Sequence, residues 1–384
     1  MTKGNGATGD GASDSGIHFV PDLIAVAVQD PLGEGGQQVE ELADSVGGSV
    51  VGADDLEERF GFGDDAEQDA DEPTTGGRLA GLAGFIGGVE PLSAARRIVD
   101  SGVDASPVYA MGYQWHKAFT ELPVEDVVKD FDHEKIRADN DGRIIAMVDS
   151  GLVKDGLPDW LSRNVDAPKI DEEVFDGNAS HGTFVASILR QGAQGHQVYV
   201  ARADRIRGPL SGPDDGAHRG QPLPTTDAHV SAAILRLIDR ILSSDGQVDA
   251  LNISVGGPAH NISGRAMVLL RQALDRWFET FPESLVFAAA GNSDEVGKVF
   301  PAAFPDVKGV AAGNSGNQPI AWVDRDGERL VPYPKVIAKR NWVSIVEPGM
   351  GVAGLTGDGD EVRRWSGSSF AAAIASARYA ETKA

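Results

Sequence analysis

The sequence predicts an α/β protein built on a doubly wound, mostly parallel sheet, preceded by a small α+β unit. Three observations carry this. Beyond residue 140, continuous apolar runs of strand length alternate with long helical runs, as in a parallel sheet buried on both faces. Before residue 115 the order of runs reads β-α-β-β-α-β, a split βαβ arrangement. Finally, four short segments place Asp149, His181, Asn292 and Ser369 in one fixed order. Asp149 and Asn292 each follow an apolar strand, where ligand chemistry in such sheets sits.

Taken in order, residues 1–17 are glycine-rich and polar and read as a disordered tail. DLIAVAV (22–28) is a strand candidate. GQQVEELADSVGG (36–48) has helical spacing at Val39, Leu42 and Val46, and Gly47 and Gly48 can end it. SVVG (49–52) follows as a strand, and the acidic run 63–77 as an exposed loop. LAGFIGGV (82–89), PLSAARRIVDSG (91–102) and SPVYAMGY (106–113) complete a unit spanning 18–115. Residues 116–139 read as a charged linker, in which ELPVEDVVKDF offers one short helix. The remaining 140–384 form the main domain. Its strand candidates are RIIAMV (143–148), VYVARA (198–203), ALNISV (250–255), SLVFAAA (284–290), GVAAGN (309–314) and WVSIVEPG (342–349). Its helices are expected at 183–191, 227–244, 263–281 and 369–381.

Composition excludes several function classes. A chain of 384 residues with net charge −24 repels phosphate backbones and anionic membranes, so nucleic acid and lipid are not expected partners. The absence of cysteine removes disulfides, thiol catalysis and cysteine-held metals. The N-terminal residues have no basic start or apolar core, and no apolar run reaches spanning length, so a cytoplasmic location is expected.

The four segments are RIIAMVDSG (143–151), SHGTFVASIL (180–189), LVFAAAGNS (285–293) and WSGSSFAAA (365–373). Taken singly, each has a structural reading: a turn aspartate, a loop histidine, a turn asparagine and a helix-capping serine. Jointly they supply an acid, a base, an oxyanion donor and a nucleophile in the chain order Asp, His, Ser. Ser369 opens a helix whose N-terminus favours developing negative charge. His181 can take its proton as general base, and Asp149 can fix the imidazole tautomer. The Asn292 amide can donate to an oxyanion. Ser366 and Ser368 compete with Ser369 as nucleophile on local sequence alone.

DSG at 149–151, HGT at 181–183, NISVGG at 252–257, AAAGN at 288–292 and GSSFAAA at 367–373 resemble the subtilisin-like serine peptidases over roughly residues 140–384. The resemblance implies that Asp149, His181 and Ser369 are the triad and Asn292 the oxyanion donor. It further implies that Ser254, Val255 and Gly256 pair with the substrate backbone, and that Ala289, Ala290 and Gly291 form the opposite wall of the specificity pocket. These small walls leave room for an apolar or aromatic side chain. A serine endopeptidase acting on peptide or protein substrates through an acyl-enzyme follows. No cofactor is required; calcium is frequent in the family, but its ligands are scattered loop oxygens that cannot be assigned here, so any metal ligands stay unknown. Residues 18–115 are more loosely similar to the family's inhibitory propeptide, an intramolecular partner.

Three departures stand out. Ser368 replaces the family's threonine, Ala373 replaces its proline, and the sequence stops 15 residues after Ser369. A substitute within 315–345 and a shortened chain are both open explanations of the last. A second function class also stays open, an inhibited or inactive relative serving as a peptide-binding or regulatory module. A third, processing of one dedicated peptide or a role in a conflict system, rests only on the missing secretion signal.

Overall fold

The computed structural model describes residues 17, 19–60, 74–111, 124–127, 136, 142–153, 157–163, 165–166, 169–170, 178–203, 225–260, 262–263, 266–292, 297–313, 321–323, 330–332, 340–356 and 361–383. The expected N-terminal tail, most of the acidic run and most of the expected linker lie outside them; the described end of the run at 75–77 is not an exposed loop but the first turn of a helix capped by Thr74, with Thr75 and Gly76 buried.

The first unit comprises β1 (Phe19–Val26), α1 (Gly35–Val46), β2 (Ser49–Val50), α2 (Ala53–Phe60), α3 (Thr75–Leu82), β3 (Gly84–Gly87), α4 (Pro91–Asp100) and β4 (Ala105–Met111). Its antiparallel sheet runs β4-β1-β3-β2. This is the expected split βαβ order, with α2 and α3 added. α1 ends where Gly47 takes a left-handed conformation, φ +76°, that glycine adopts without steric cost. The sheet buries two faces. Ile24, Val26 and Ile86 pack under Val39 of α1 and Ile98 of α4, while Leu23, Ala25 and Phe85 face the other way. Alternation along each strand produces this division.

The linker expectation needs correction. Within ELPVEDVVKDF the described residues form a strand, β5 (Val124–Val127), not a helix. Valine at both ends suits a pleated surface, and pairing with a distant strand overrides weak local helix propensity.

The main domain follows with β6 (Arg143–Asp149), β7 (Leu152–Val153), α5 (Asp159–Ser162), β8 (Val165–Asp166), β9 (Lys169–Ile170), α6 (Asn178–Gly192) and β10 (His196–Arg202). Next come β11 (Thr225–Thr226), α7 (Asp227–Leu242), β12 (Gln247–Ile253), β13 (Gly257–Pro258), α8 (Val268–Thr280), β14 (Leu285–Ala289), β15 (Val299–Phe300) and β16 (Lys308–Gly313). A hairpin of β17 (Ala321–Val323) and β18 (Leu330–Pro332) precedes β19 (Val343–Pro348), β20 (Val352–Leu355), β21 (Val362–Trp365) and α9 (Ser368–Glu381). Seven strands form a parallel sheet in the order β19-β16-β14-β12-β6-β10-β8. Both faces are covered. Ile144, Ala146 and Val148 of β6 join a core with α7 and α8, whereas Ile145 and Met147 join one with α6 and α9. The continuous apolar strands of the sequence have this cause. β5 pairs with β21, so the segment between the two units adds a strand to a small sheet with β20.

The two units share structure. β11 pairs antiparallel with β4, Thr225 opposite Met111 and Thr226 opposite Ala110. Ala228 and Ala232 of α7 and Leu269 of α8 complete the core beneath the first sheet.

Candidate active site

Asp149 ends β6 at the carboxyl end of the parallel sheet and is fully buried. Its Oδ1 accepts the Ser150 backbone N–H at 2.7 Å and lies 2.8 Å from His181 Nδ1. The residues around this pair explain the DSG and HGT triplets. Gly151 has φ +89°, which turns the chain sharply after the strand. A side chain on Gly182 would fall deep inside the Gly151 carbonyl, so only glycine lets α6 approach the loop this closely. The Gly182 N–H then donates to Ser150 Oγ at 3.1 Å, and Thr183 Oγ1 accepts the Val153 N–H at 3.0 Å. Two short polar links and one backbone contact thus hold the imidazole on the carboxylate. His181 lies inside α6, which begins at Asn178, and not just ahead of a helix starting near Thr183 as the sequence suggests. The sequence-based start followed the apolar run and missed the polar first turn.

Ser369 is the second residue of α9 and is buried. Its hydroxyl donates to the Ser254 carbonyl at 3.1 Å, and Ser254 Oγ donates back to the Ser369 carbonyl at 3.2 Å. Asn252 Nδ2 donates to Ser254 Oγ at 2.8 Å, and Ser376 Oγ donates to Asn252 Oδ1 at 3.2 Å. Asn252 and Ser376, which sequence reasoning did not single out, therefore tie β12 to α9. The competing serines hold loops: Ser366 Oγ accepts the Gly351 N–H at 2.8 Å and Ser368 Oγ accepts the Gly291 N–H at 3.2 Å.

Asn292 follows Gly291, whose φ of +94° favours glycine. Asn292 Oδ1 accepts the Ser368 backbone N–H at 2.8 Å. The start of α9 is thereby linked to the end of β14 through both Ser368 and Asn292. Ser254, Val255 and Gly256 continue β12, and Ala289, Ala290 and Gly291 close β14, the neighbouring strand. Between these two stretches sits Val299: its Cγ1 would lie 2.8 Å from a methyl on Gly256 and its Cγ2 3.0 Å from one on Gly291. Val299 carried no signal in the sequence. Nor did the aromatic wall around the imidazole. The Trp365 ring meets His181 edge-on at 5.8 Å between centroids, and the Phe370 ring lies tilted against it at 5.6 Å. These rings give the Asp–His pair an apolar side that limits water.

Among the described residues no group of three or more His, Asp or Glu side chains is placed to hold a metal ion. No helix among them is long and apolar enough to cross a membrane.

No curated protein sequence matches the chain. Solved structures with a similar fold include the prenylagaramide maturation protease PagA, at 21% identity over 62% of this chain and 74% of that one, with TM-score 0.41. The patellamide maturation protease PatA is similar at 22% identity over 62% and 77%, with TM-score 0.41. The self-cleaved protease domain of PatA is similar at 23% over 63% and 79%, with TM-score 0.42. The model of the subtilase family matches residues 98–384, so the match takes in the end of α4 and all of β4 as well as the main domain. This chain belongs to the subtilase family of serine peptidases.

Proposed function

We propose that the chain is a serine endopeptidase whose nucleophile is Ser369, whose general base is His181 and whose third member is Asp149. The observation that carries this is the buried 2.8 Å contact between His181 Nδ1 and Asp149 Oδ1, with His181 packed on Phe370, the residue that follows Ser369 at the N-terminus of α9. Asp149 holds Nδ1 protonated, which leaves Nε2 as the basic nitrogen. In the resting arrangement the Ser369 hydroxyl rests on the Ser254 carbonyl. Rotation about χ1 turns it towards His181. As Oγ attacks the substrate carbonyl, its proton passes to Nε2. Collapse of the tetrahedral intermediate breaks the C–N bond, and the same proton goes to the leaving amine. Water then repeats the sequence on the acyl-enzyme, with its proton taken by His181 and returned to Ser369 Oγ.

Asn292 is the oxyanion donor in this reading. Its Oδ1 is engaged by the Ser368 N–H, so the donating prong of the amide in this role is Nδ2. The Ser369 N–H at the start of α9 is the second donor. Ser254 to Gly256 pair with the substrate backbone, and Ala289 to Gly291 form the facing wall, with Val299 between them. Residues 18–115 act as an intramolecular propeptide for the domain at 140–384. The pairing of β4 with β11 and the core shared with α7 and α8 support this. The same pairing favours a latent state of the enzyme while the unit stays in place.

Fluorophosphonate labelling tests the assignment. One modified residue, Ser369, is expected by peptide mass spectrometry, with labelling lost in Ser369→Ala. Labelling at Ser366 or Ser368, or unchanged labelling in Ser369→Ala, overturns it.

A further inference from the structure

The antiparallel pairing of β11 with β4 is only two residues long, because α7 begins at Asp227. An ordinary ladder would use the carbonyl of the next residue as an acceptor. Here that carbonyl has turned into the helix, where Ser231 Oγ donates to it at 2.5 Å. The Asp227 side chain takes its place: Oδ1 accepts the backbone N–H of Tyr109 at 2.8 Å. Oδ2 finds no hydrogen-bond partner among the described residues. The carboxyl is completely buried, an arrangement that costs free energy unless something uses it.

The direction of β4 connects this contact to the catalytic residues. The Tyr109 hydroxyl donates to the His260 carbonyl at 3.4 Å. One and two residues later, a methyl on Gly257 would lie 2.8 Å from the Ala110 carbonyl oxygen and 3.2 Å from Met111 Cα. β4 thus runs antiparallel to the 254–260 stretch and heads towards Ser254, which holds Ser369. Ser254 is three residues before Gly257, about 10 Å in extended chain, so a peptide continuing from the place of Met111 meets the nucleophile after about three further residues. Tyr109 and Met111 are both buried in a core with Val230, Val255, Leu270 and Phe300.

We propose that Asp227 is a specificity-determining residue for peptide substrates, accepting the backbone N–H of the residue that occupies the place of Tyr109. Substrates of this enzyme therefore carry a free N–H there, never proline, with apolar side chains at that position and two residues on, the second lying about three residues upstream of the cut bond. The side-chain carboxyl extends the ladder by one rung beyond the end of β11. This rests on the catalytic assignment above.

The test uses protein produced as the full chain and allowed to cut itself after the first unit, because β4 itself covers Asp227 until then, and two synthetic peptides of the sequence of residues 105–118, one natural and one N-methylated at the tyrosine matching Tyr109. Wild type should cut the natural peptide about tenfold more efficiently in kcat/KM, the size of one lost hydrogen bond with its donor site blocked. The difference should lie in KM. In Asp227→Ala both peptides should be cut equally, at the lower efficiency. In Asp227→Asn, which keeps an acceptor oxygen, discrimination should return. Discrimination that persists in Asp227→Ala, or its absence in wild type, overturns the proposal. So does cleavage of neither peptide by a protein that still cuts casein. If Ser369→Ala cuts the peptides as well as wild type, the catalytic assignment has failed instead.

Discussion

Two buried histidine–aspartate couples sit on the same parallel sheet, one at each end of its strands. His181 Nδ1 lies 2.8 Å from Asp149, and His196 Nε2 lies 2.9 Å from Asp249. By distance and burial they are nearly equal. Their surroundings differ. Asp249 is held by the Arg143 guanidinium, with Nε at 2.6 Å, and the His196 carbonyl is taken by Arg190. Arg143 opens β6 and Asp149 ends it, six residues and about 20 Å apart. At the amino end of the strands the couple is enclosed in charge, as a structural ion-pair network. At the carboxyl end His181 packs instead on the Trp365 and Phe370 rings; in the proposed reading its open side is that of Ser369 and Asn292. An Asp–His contact becomes chemistry through what stands on its open side.

The largest expected effect sets the couples apart. His181→Ala should lower kcat by about 10⁶-fold, a magnitude borrowed from subtilisin, which is of the same family. His196→Ala should leave kcat within a fewfold of wild type. It should instead lower stability by about 1–3 kcal/mol, because Asp249 loses one buried partner while keeping Arg143. Steady-state kinetics beside urea unfolding curves measure both. A collapse of kcat in the folded His196→Ala protein would remove the distinction.

Asn292→Ala sharpens the comparison at the carboxyl end. It should cut kcat by about 10²–10³-fold with KM little changed, because the bond to the oxyanion forms mainly in the transition state; this range is also the subtilisin value. An effect confined to KM would make Asn292 a binding residue.

The smallest effect concerns pH. Burial under β4 pushes the Asp227 carboxyl up to about 8, and uncovered it returns to the ordinary carboxylate range near 4. The covered state holds the proton more tightly. Occupancy of this place is thus strongest below about pH 4 and weakens as pH rises through about 8. The titratable groups around it are Tyr109 from β4, with His260 behind it, and His229 in the first turn of α7. KM for the natural peptide should rise across pH 4–8 in wild type and stay flat in Asp227→Asn. Equal slopes in the two proteins would show that another group titrates.

The sequence made the candidate site at the carboxyl end legible because its demands are local. DSG and HGT encode a positive-φ turn, a backbone approach that admits no side chain, and a hydroxyl for a loop N–H. Each is written in consecutive residues. The Trp365–Phe370 wall, Val299, and the Asn252–Ser376 link depend on strands and helices meeting from far apart, and no spacing reveals them. The strand at Val124–Val127 was hidden for the same reason, since its partner lies beyond residue 360. The second histidine couple was silent because it has no motif: Arg143 and His196 open β6 and β10, and Asp249 is the third residue of β12.

The contact between Gly182 and the Gly151 carbonyl has a further consequence. Hydrogen bonds act as springs, and side-chain packing adapts by changing rotamers, but two backbones in van der Waals contact form a mechanical stop. The distance between acid and base is therefore set by atomic radii, not by the composition of the surrounding core. Sequence change around the site can drift without detuning the couple, provided these two positions keep bare α-carbons. A side chain at Gly182 would therefore act on the couple without touching any functional group.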